Sequence, residues 1–196
     1  MRKVFLATSV LLLASSVGTA APACGPGSLA KYIALGAGGC TVGPITFANF
    51  AYSAKSSGGA PQIQASQIQV TPSFQVPATG GFVFSAKWSV VNNQAQESII
   101  KYTVSGKLAG AGNLMLQLGK YQINLFGDIS VQETTSGGNL QVYVDCGETC
   151  KVQTSAQAPF IPPATVLQVT DDVKLSSGIA SLSSFTAEFD YCPACV

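Results

Sequence analysis

From residue 45 onward the hydrophobic positions recur at every second residue. Ile45, Phe47, Asn49 and Ala51 alternate with Thr46, Ala48, Phe50 and Tyr52, and Ile68 and Val70 continue the pattern. The clearest run sets Phe82, Phe84, Ala86, Trp88 and Val90 on one face against Val83, Ser85, Lys87 and Ser89 on the other. A period of two places alternate side chains on opposite faces of a strand. Further strands are expected over 98–105, 113–118, 122–126, 129–134, 140–145, 166–170, 173–175 and 185–189. Between them lie turn residues, among them Ser57-Gly58-Gly59, Thr79-Gly80-Gly81, Asn92-Asn93, Gly127-Asp128 and Ser136-Gly137-Gly138-Asn139. One helical signal precedes the strands: Ser28 as N-cap, two turns over 29–35, and Gly36 as the stop. Leu182, Phe185 and Phe189 also fit a helix face, which leaves two readings of that last element. The pattern predicts an all-β fold, an antiparallel β-sandwich of about 9–11 strands with jelly-roll or Greek-key connections and a short N-terminal helix. The proline-rich stretch 159–163 reads as a stiff crossing between sheets.

Before residue 24 the pattern is different. Arg2 and Lys3 open an uncharged run rich in Val, Leu and Ala that ends near Val17. Ala21-Pro22-Ala23 supplies small residues for cleavage, with Gly18-Thr19-Ala20 as an alternative, so 1–23 reads as a secretory signal peptide and 24–196 as a single domain. No later apolar run is long enough to cross a bilayer. The expected address is secreted, periplasmic or at the cell surface.

Composition narrows the chemistry. Apolar residues make up 47% of the chain and charged residues only 10%, and there is no His. With the signal removed no Arg remains, and eight Lys face nine acids, a net charge of −1. A near-neutral chain has no electrostatic means of gathering phosphates or anionic lipid, so neither nucleic acid nor a membrane is an expected partner. Without His there is no Ser-His-Asp or Cys-His nucleophile and no His-bearing zinc site. Without Arg there is no bidentate clamp for carboxylate or phosphate. Hydrolases built on two carboxylates, or on a Ser-Lys pair, survive these absences.

Six cysteines in an exported chain imply disulfides. Spacing favours three local pairs, Cys24 with Cys40, Cys146 with Cys150, and Cys192 with Cys195. Crossed pairs between the last two sets remain open. Cys192-Pro193-Ala194-Cys195 has the spacing of a dithiol redox motif, but that chemistry wants its first Cys at a helix N-terminus, and one residue follows the motif here. Cys146, Cys150, Cys192 and Cys195 also have the number and spacing of a zinc site, which an oxidising compartment argues against. Cleavage directly before Cys24 would resemble lipoprotein processing. Ala21-Pro22-Ala23 lacks the Leu-like residue of such sites, and lipidation would leave five cysteines.

The acids offer little that stands out. Asp171-Asp172 is the only adjacent pair and could contribute to a calcium site, although a solvated turn between two strands is the commoner meaning. Asp145 and Glu148 read as solubilising residues beside the Cys146–Cys150 turn. A glycosidase needs two carboxylates across a cleft, and the sequence singles out none. Trp88 could stack on a sugar ring, but its face also carries Phe82 and Phe84, which assigns it to the core. Ser85 and Lys87 share a strand face as a Ser-Lys pair would.

The opening run Cys24-Gly25-Pro26-Gly27-Ser28-Leu29-Ala30-Lys31-Tyr32-Ile33-Ala34-Leu35-Gly36-Ala37-Gly38-Gly39-Cys40-Thr41-Val42-Gly43, followed by Ile45-Thr46-Phe47-Ala48-Asn49-Phe50, resembles a family of exported bacterial proteins, many of which end in a PEP-CTERM sorting signal. Phe82-Val83-Phe84-Ser85-Ala86-Lys87-Trp88-Ser89 and Ile100-Lys101-Tyr102-Thr103-Val104 add to the likeness. The family's sorting tail, with its Pro-Glu-Pro start, hydrophobic segment and basic stop, is missing here. The resemblance implies a fold and export and names no activity. The expected function is therefore a non-catalytic, disulfide-stapled β-sandwich with a structural or binding role at the bacterial envelope or matrix. Glycans or other envelope proteins are its expected partners, and no cofactor or metal is expected. A secreted carboxylate-based polysaccharide hydrolase is the alternative.

Overall fold

The computed structural model of the chain describes residues 20–75, 79–106, 108, 113–124, 126–159 and 165–191. All but the last residues of the signal peptide, Cys192 and Cys195, and most of the 159–163 connector lie outside them.

Two antiparallel sheets pack face to face, and their strands are numbered here in chain order. One sheet holds β1 (Gly27–Ser28), β4 (Gln69–Gln75), β5 (Thr79–Val91), β14 (Ile179–Asp190), β7 (Asn113–Leu118) and β12 (Ser155–Pro159) in that spatial order. β8 (Tyr121–Ile123) pairs further along β14. The second sheet runs β11 (Cys150–Gln153), β10 (Gly138–Cys146), β9 (Asp128–Thr135), β13 (Val166–Ser176), β6 (Ala95–Ser105), β3 (Ile45–Ser57) and β2 (Cys40–Val42). Sequence neighbours repeatedly change sheet, so the strands interleave and do not form a simple meander. The predicted fold class is the observed one. Among the described residues the fourteen strands exceed the expected number because β1, β2, β11 and β12 are pieces of two to five residues, too short for the periodicity to register.

α1 (Leu29–Ala34) begins after Ser28, and Gly36 follows it at φ +56°. Its buried face is Leu29 and Tyr32, and the Tyr32 ring packs edge-on to Phe50 and Phe82 at 5.1 and 5.3 Å between centroids. Gly39 is irreplaceable on geometric grounds: φ is +56°, and a Cβ there would lie 2.1 Å from the Phe47 carbonyl oxygen.

The alternation in β3 does not run straight through. Asn49 takes φ +55°, and the register with β6 shifts between Ala48 and Ala51. This β-bulge turns both Phe47 and Phe50 inward, where strict alternation would have separated them. Around them Phe82, Phe84, Tyr102, Phe185 and Phe189 form one aromatic core, with Phe47 and Phe82 at 4.5 Å. Truncating such a ring, as in Phe82→Ala, costs about 3–5 kcal/mol.

Two sequence expectations change and one ambiguity resolves. Segments 166–170 and 173–175 are one unbroken strand, β13, so Asp171-Asp172 is not a turn. β13 pairs residue for residue with β6 on one side and β9 on the other, and that double ladder overrides local turn propensity. The expected 185–189 strand is present as part of the longer β14, which settles the second, helical reading of that element. The expected strand over 122–126 ends at Ile123, and Phe126 sits at φ +68°.

Disulfides join Cys24 to Cys40 and Cys146 to Cys150. The first fastens the N-terminal arm to β2, and the second closes the β10–β11 turn. With Cys146 and Cys150 bonded to each other, a four-thiolate zinc site loses two of its ligands. Among the described residues no helix is long and apolar enough to cross a membrane.

Candidate functional site

β9, β10 and β11 carry Asp128, Ser130, Gln141, Tyr143, Asp145 and Lys151 on the outer face of the second sheet, around an open concavity of about 500 Å³. The register arranges them in rows. Ser176 of β13 stands opposite Asp128, Asp128 opposite Asp145, and Asp145 opposite Lys151. In the next row Lys174, Ser130, Tyr143 and Gln153 face one another across four strands. Gln132 and Gln141 begin a third. Neighbouring strands lie about 5 Å apart and same-face residues about 7 Å, so the three rows form a polar lattice with Tyr143 near its middle.

Electrostatics bind the lattice together. Two like charges directly opposite on neighbouring strands repel. Partial burial, followed by the hydrogen bond to Asp145 and then the Asp145 charge, holds the Asp128 carboxyl above the usual carboxylate range. The Ser176 hydroxyl donates to Asp128 at 3.3 Å and offsets part of this. Beside this pair Glu97 links Lys55 at 3.7 Å to Lys174 at 3.2 Å, and Lys174 also donates to Asp172. Asp172 is the largest of the influences that raise the Lys174 ammonium above the ordinary lysine range. These exposed ion pairs contribute little stability singly.

The other sequence candidates are dispersed. Asp171 and Asp172 project from opposite faces of β13, Asp171 fully buried and Asp172 half-buried, so no single cation can lie between them. Among the described residues no group of three or more Cys, Asp or Glu side chains is placed to hold a metal ion. Glu148 is exposed in the Cys146–Cys150 turn. Trp88 is 1% exposed, and its indole N–H donates to the Ser98 hydroxyl at 3.1 Å, a core assignment. Ser85 and Lys87 share the outer face of β5 with Gln67 and Gln69, where Lys87 is exposed. That setting lacks the desolvation a lysine base requires.

One acid of consequence escaped sequence reasoning. Glu133 is fully buried, opposite Asp171 across the β9–β13 ladder. The signal was present, since Ile129, Val131 and Glu133 share one parity along β9. An isolated Glu at the end of an apolar stripe is nonetheless easily taken for the strand's exit to solvent.

No family model matches the chain, and no curated protein matches it. Among solved structures the chain is similar to TmCBM61, a carbohydrate-binding module solved in complex with beta-1,4-galactotriose. The likeness has 10% identity and a TM-score of 0.33, and it covers 69% of this chain and 86% of that one. It is also similar to the enzymatically active domain of bacteriophage CBA120 tailspike protein 4, with 12% identity and a TM-score of 0.29, over 69% of this chain but only 18% of the tailspike. Likenesses this loose carry no argument about the site.

Proposed function

We propose that the protein is an exported, non-catalytic β-sandwich that binds glycan at the bacterial envelope or matrix through the lattice on β9, β10 and β11. The observation that carries this reading is the arrangement around Tyr143. A flat aromatic side chain is flanked by Gln141, Ser130, Asp128 and Asp145, a mix of hydroxyl, amide and carboxylate partners for sugar hydroxyls. Apolar contact from a ring together with a few placed polar groups is the usual construction of a small-ligand site. The lattice lies on an open sheet face, which suits a chain-like ligand passing over it.

The same geometry favours binding over hydrolysis. Asp128 and Asp145 stand directly opposite each other on neighbouring strands, with their side chains in contact. A glycosidase sets its two carboxyls about 5–10 Å apart with the glycosidic bond between them. Export is supported by the signal-like 1–23 segment and by the two disulfides.

The test is a glycan array followed by calorimetric titration of the best ligand. Tyr143→Ala should weaken binding about tenfold or more, equivalent to roughly 1.4 kcal/mol, while leaving the unfolding midpoint nearly unchanged. Release of reducing sugar from that ligand, abolished by Asp145→Asn, would establish the hydrolase instead.

A further inference from the structure

Glu133 and Asp171 pose a separate question. Both are 0% exposed, they face each other on β9 and β13, and the Tyr102 hydroxyl approaches Asp171 from β6. None of their four oxygens has a hydrogen-bond partner as placed, and neither has the Tyr102 hydroxyl. Two carboxylates offer only acceptors, so what each lacks is a proton.

The surroundings supply no countercharge. The inward-facing positions next to the pair in its own sheet are apolar, Val131 on β9, Val173 on β13 and Ile100 on β6, and Phe84 of the facing sheet lies against the Tyr102 ring. The charged residues of the strands packed around the pair face away from it. Lys101 and Glu97 of β6, Asp128 of β9, Asp145 of β10, and Asp172 and Lys174 of β13 project from the outer face of their sheet. Lys87 of β5 and Glu188 and Asp190 of β14 do the same on the other sheet, Glu188 accepting from Ser73 and Asp190 from Thr79. Among the described residues Tyr102 is the only other ionisable group facing the pair. An isolated buried charge costs far more than protonation.

We infer that Glu133, Asp171 and Tyr102 form a proton-holding cluster in the core, and that this cluster makes the sandwich a pH-sensitive fold, closed while the cluster keeps its protons and loosened at the β9–β13 seam when it loses them. Glu133 keeps its proton and donates it to Asp171, and Tyr102 donates to the same carboxyl. Burial raises both acids: Asp171 is pushed up to about 7, while Glu133, with the Asp171 charge added, is held well above the carboxylate range. Burial likewise raises the Tyr102 phenol, so that it remains a donor.

The sign follows from linkage. The native state keeps protons that the unfolded chain releases near pH 4, so stability is complete below that pH and falls as pH rises. The unfolding constant should increase about tenfold per pH unit for each retained proton. For Asp171 this continues to about pH 7, and for Glu133 beyond it.

Thermal and urea unfolding of the full protein between about pH 4 and pH 9 tests this, with Glu133→Gln and Asp171→Asn alongside. The wild-type midpoint should drop steadily with rising pH, and Glu133→Gln should flatten the profile. A protonated-carboxyl infrared band at neutral pH, shifted by carboxyl isotope labelling, should be present in the wild-type protein even if neither variant folds. A flat wild-type profile without that band would overturn the inference. So would a midpoint that chelator lowers and calcium restores, because the unpartnered oxygens would then hold a metal.

Discussion

Two polar clusters sit between the same two sheets and obey opposite rules. In the first, the Trp88 indole donates to Ser98, Tyr52 shares a hydrogen bond with Ser98 at 2.9 Å, and the Tyr52 hydroxyl also reaches the Ile63 carbonyl at 2.9 Å. Gln96 accepts from the Ser89 amide at 3.0 Å and donates to the Pro61 carbonyl. Donors meet acceptors throughout, and the network fastens the 58–64 segment over the end of the sandwich. The Glu133–Asp171–Tyr102 cluster has no such external partners and depends on protons drawn from solvent when the chain folds. A polar core that satisfies itself is indifferent to conditions, whereas one that needs protons makes the fold conditional.

That contrast can be broken most forcefully at Glu133. Glu133→Leu removes a buried acid that is held well above the carboxylate range, so at alkaline pH the variant should unfold at a clearly higher urea concentration than the wild type. Near pH 4 the two should unfold at similar urea concentrations. A variant less stable at every pH would mean that the acids hold the core together. Next in size, Ser98→Ala should cost about 2–3 kcal/mol, because it strands the Trp88 N–H. Its unfolding penalty should be the same in acidic and alkaline buffer, and a pH-dependent penalty would show that the two clusters are coupled. The smallest effect belongs to Tyr52→Phe, at about 1 kcal/mol. Its clearer signature is faster proteolytic cutting within 58–64, measured under native conditions. Unchanged cutting would mean that Gln96 alone pins the segment.

The sandwich itself was legible because Phe82, Phe84, Trp88 and Val90 in β5, and Ile100, Tyr102 and Val104 in β6, keep one parity along long strands. The bulge at Asn49 was not, since a single residue in a left-handed conformation changes the parity of everything after it. β11 and β12 are short, polar edge strands whose existence depends on the neighbours they pair with. The Asp171-Asp172 turn failed for a related reason: strand formation there is imposed from both sides by tertiary pairing. The lattice around Tyr143 and the pairing of Glu133 with Asp171 both require register, which states which residue lies beside which. Sequence parity assigns a face and leaves the neighbour unknown.

The placement of the two disulfides has a consequence for the protein's behaviour in company. β2 and β11 are the two outermost strands of the second sheet, and each contains a disulfide-bonded cysteine, Cys40 in one and Cys150 in the other. A sheet frays from its rims inward, and a bare rim is also where a strand from another chain can add itself. Short, covalently clamped rims, with Lys151 on one of them, deny both routes. The staples therefore act as selvedges: they bind off the two borders of the sheet and leave its broad face uncovered.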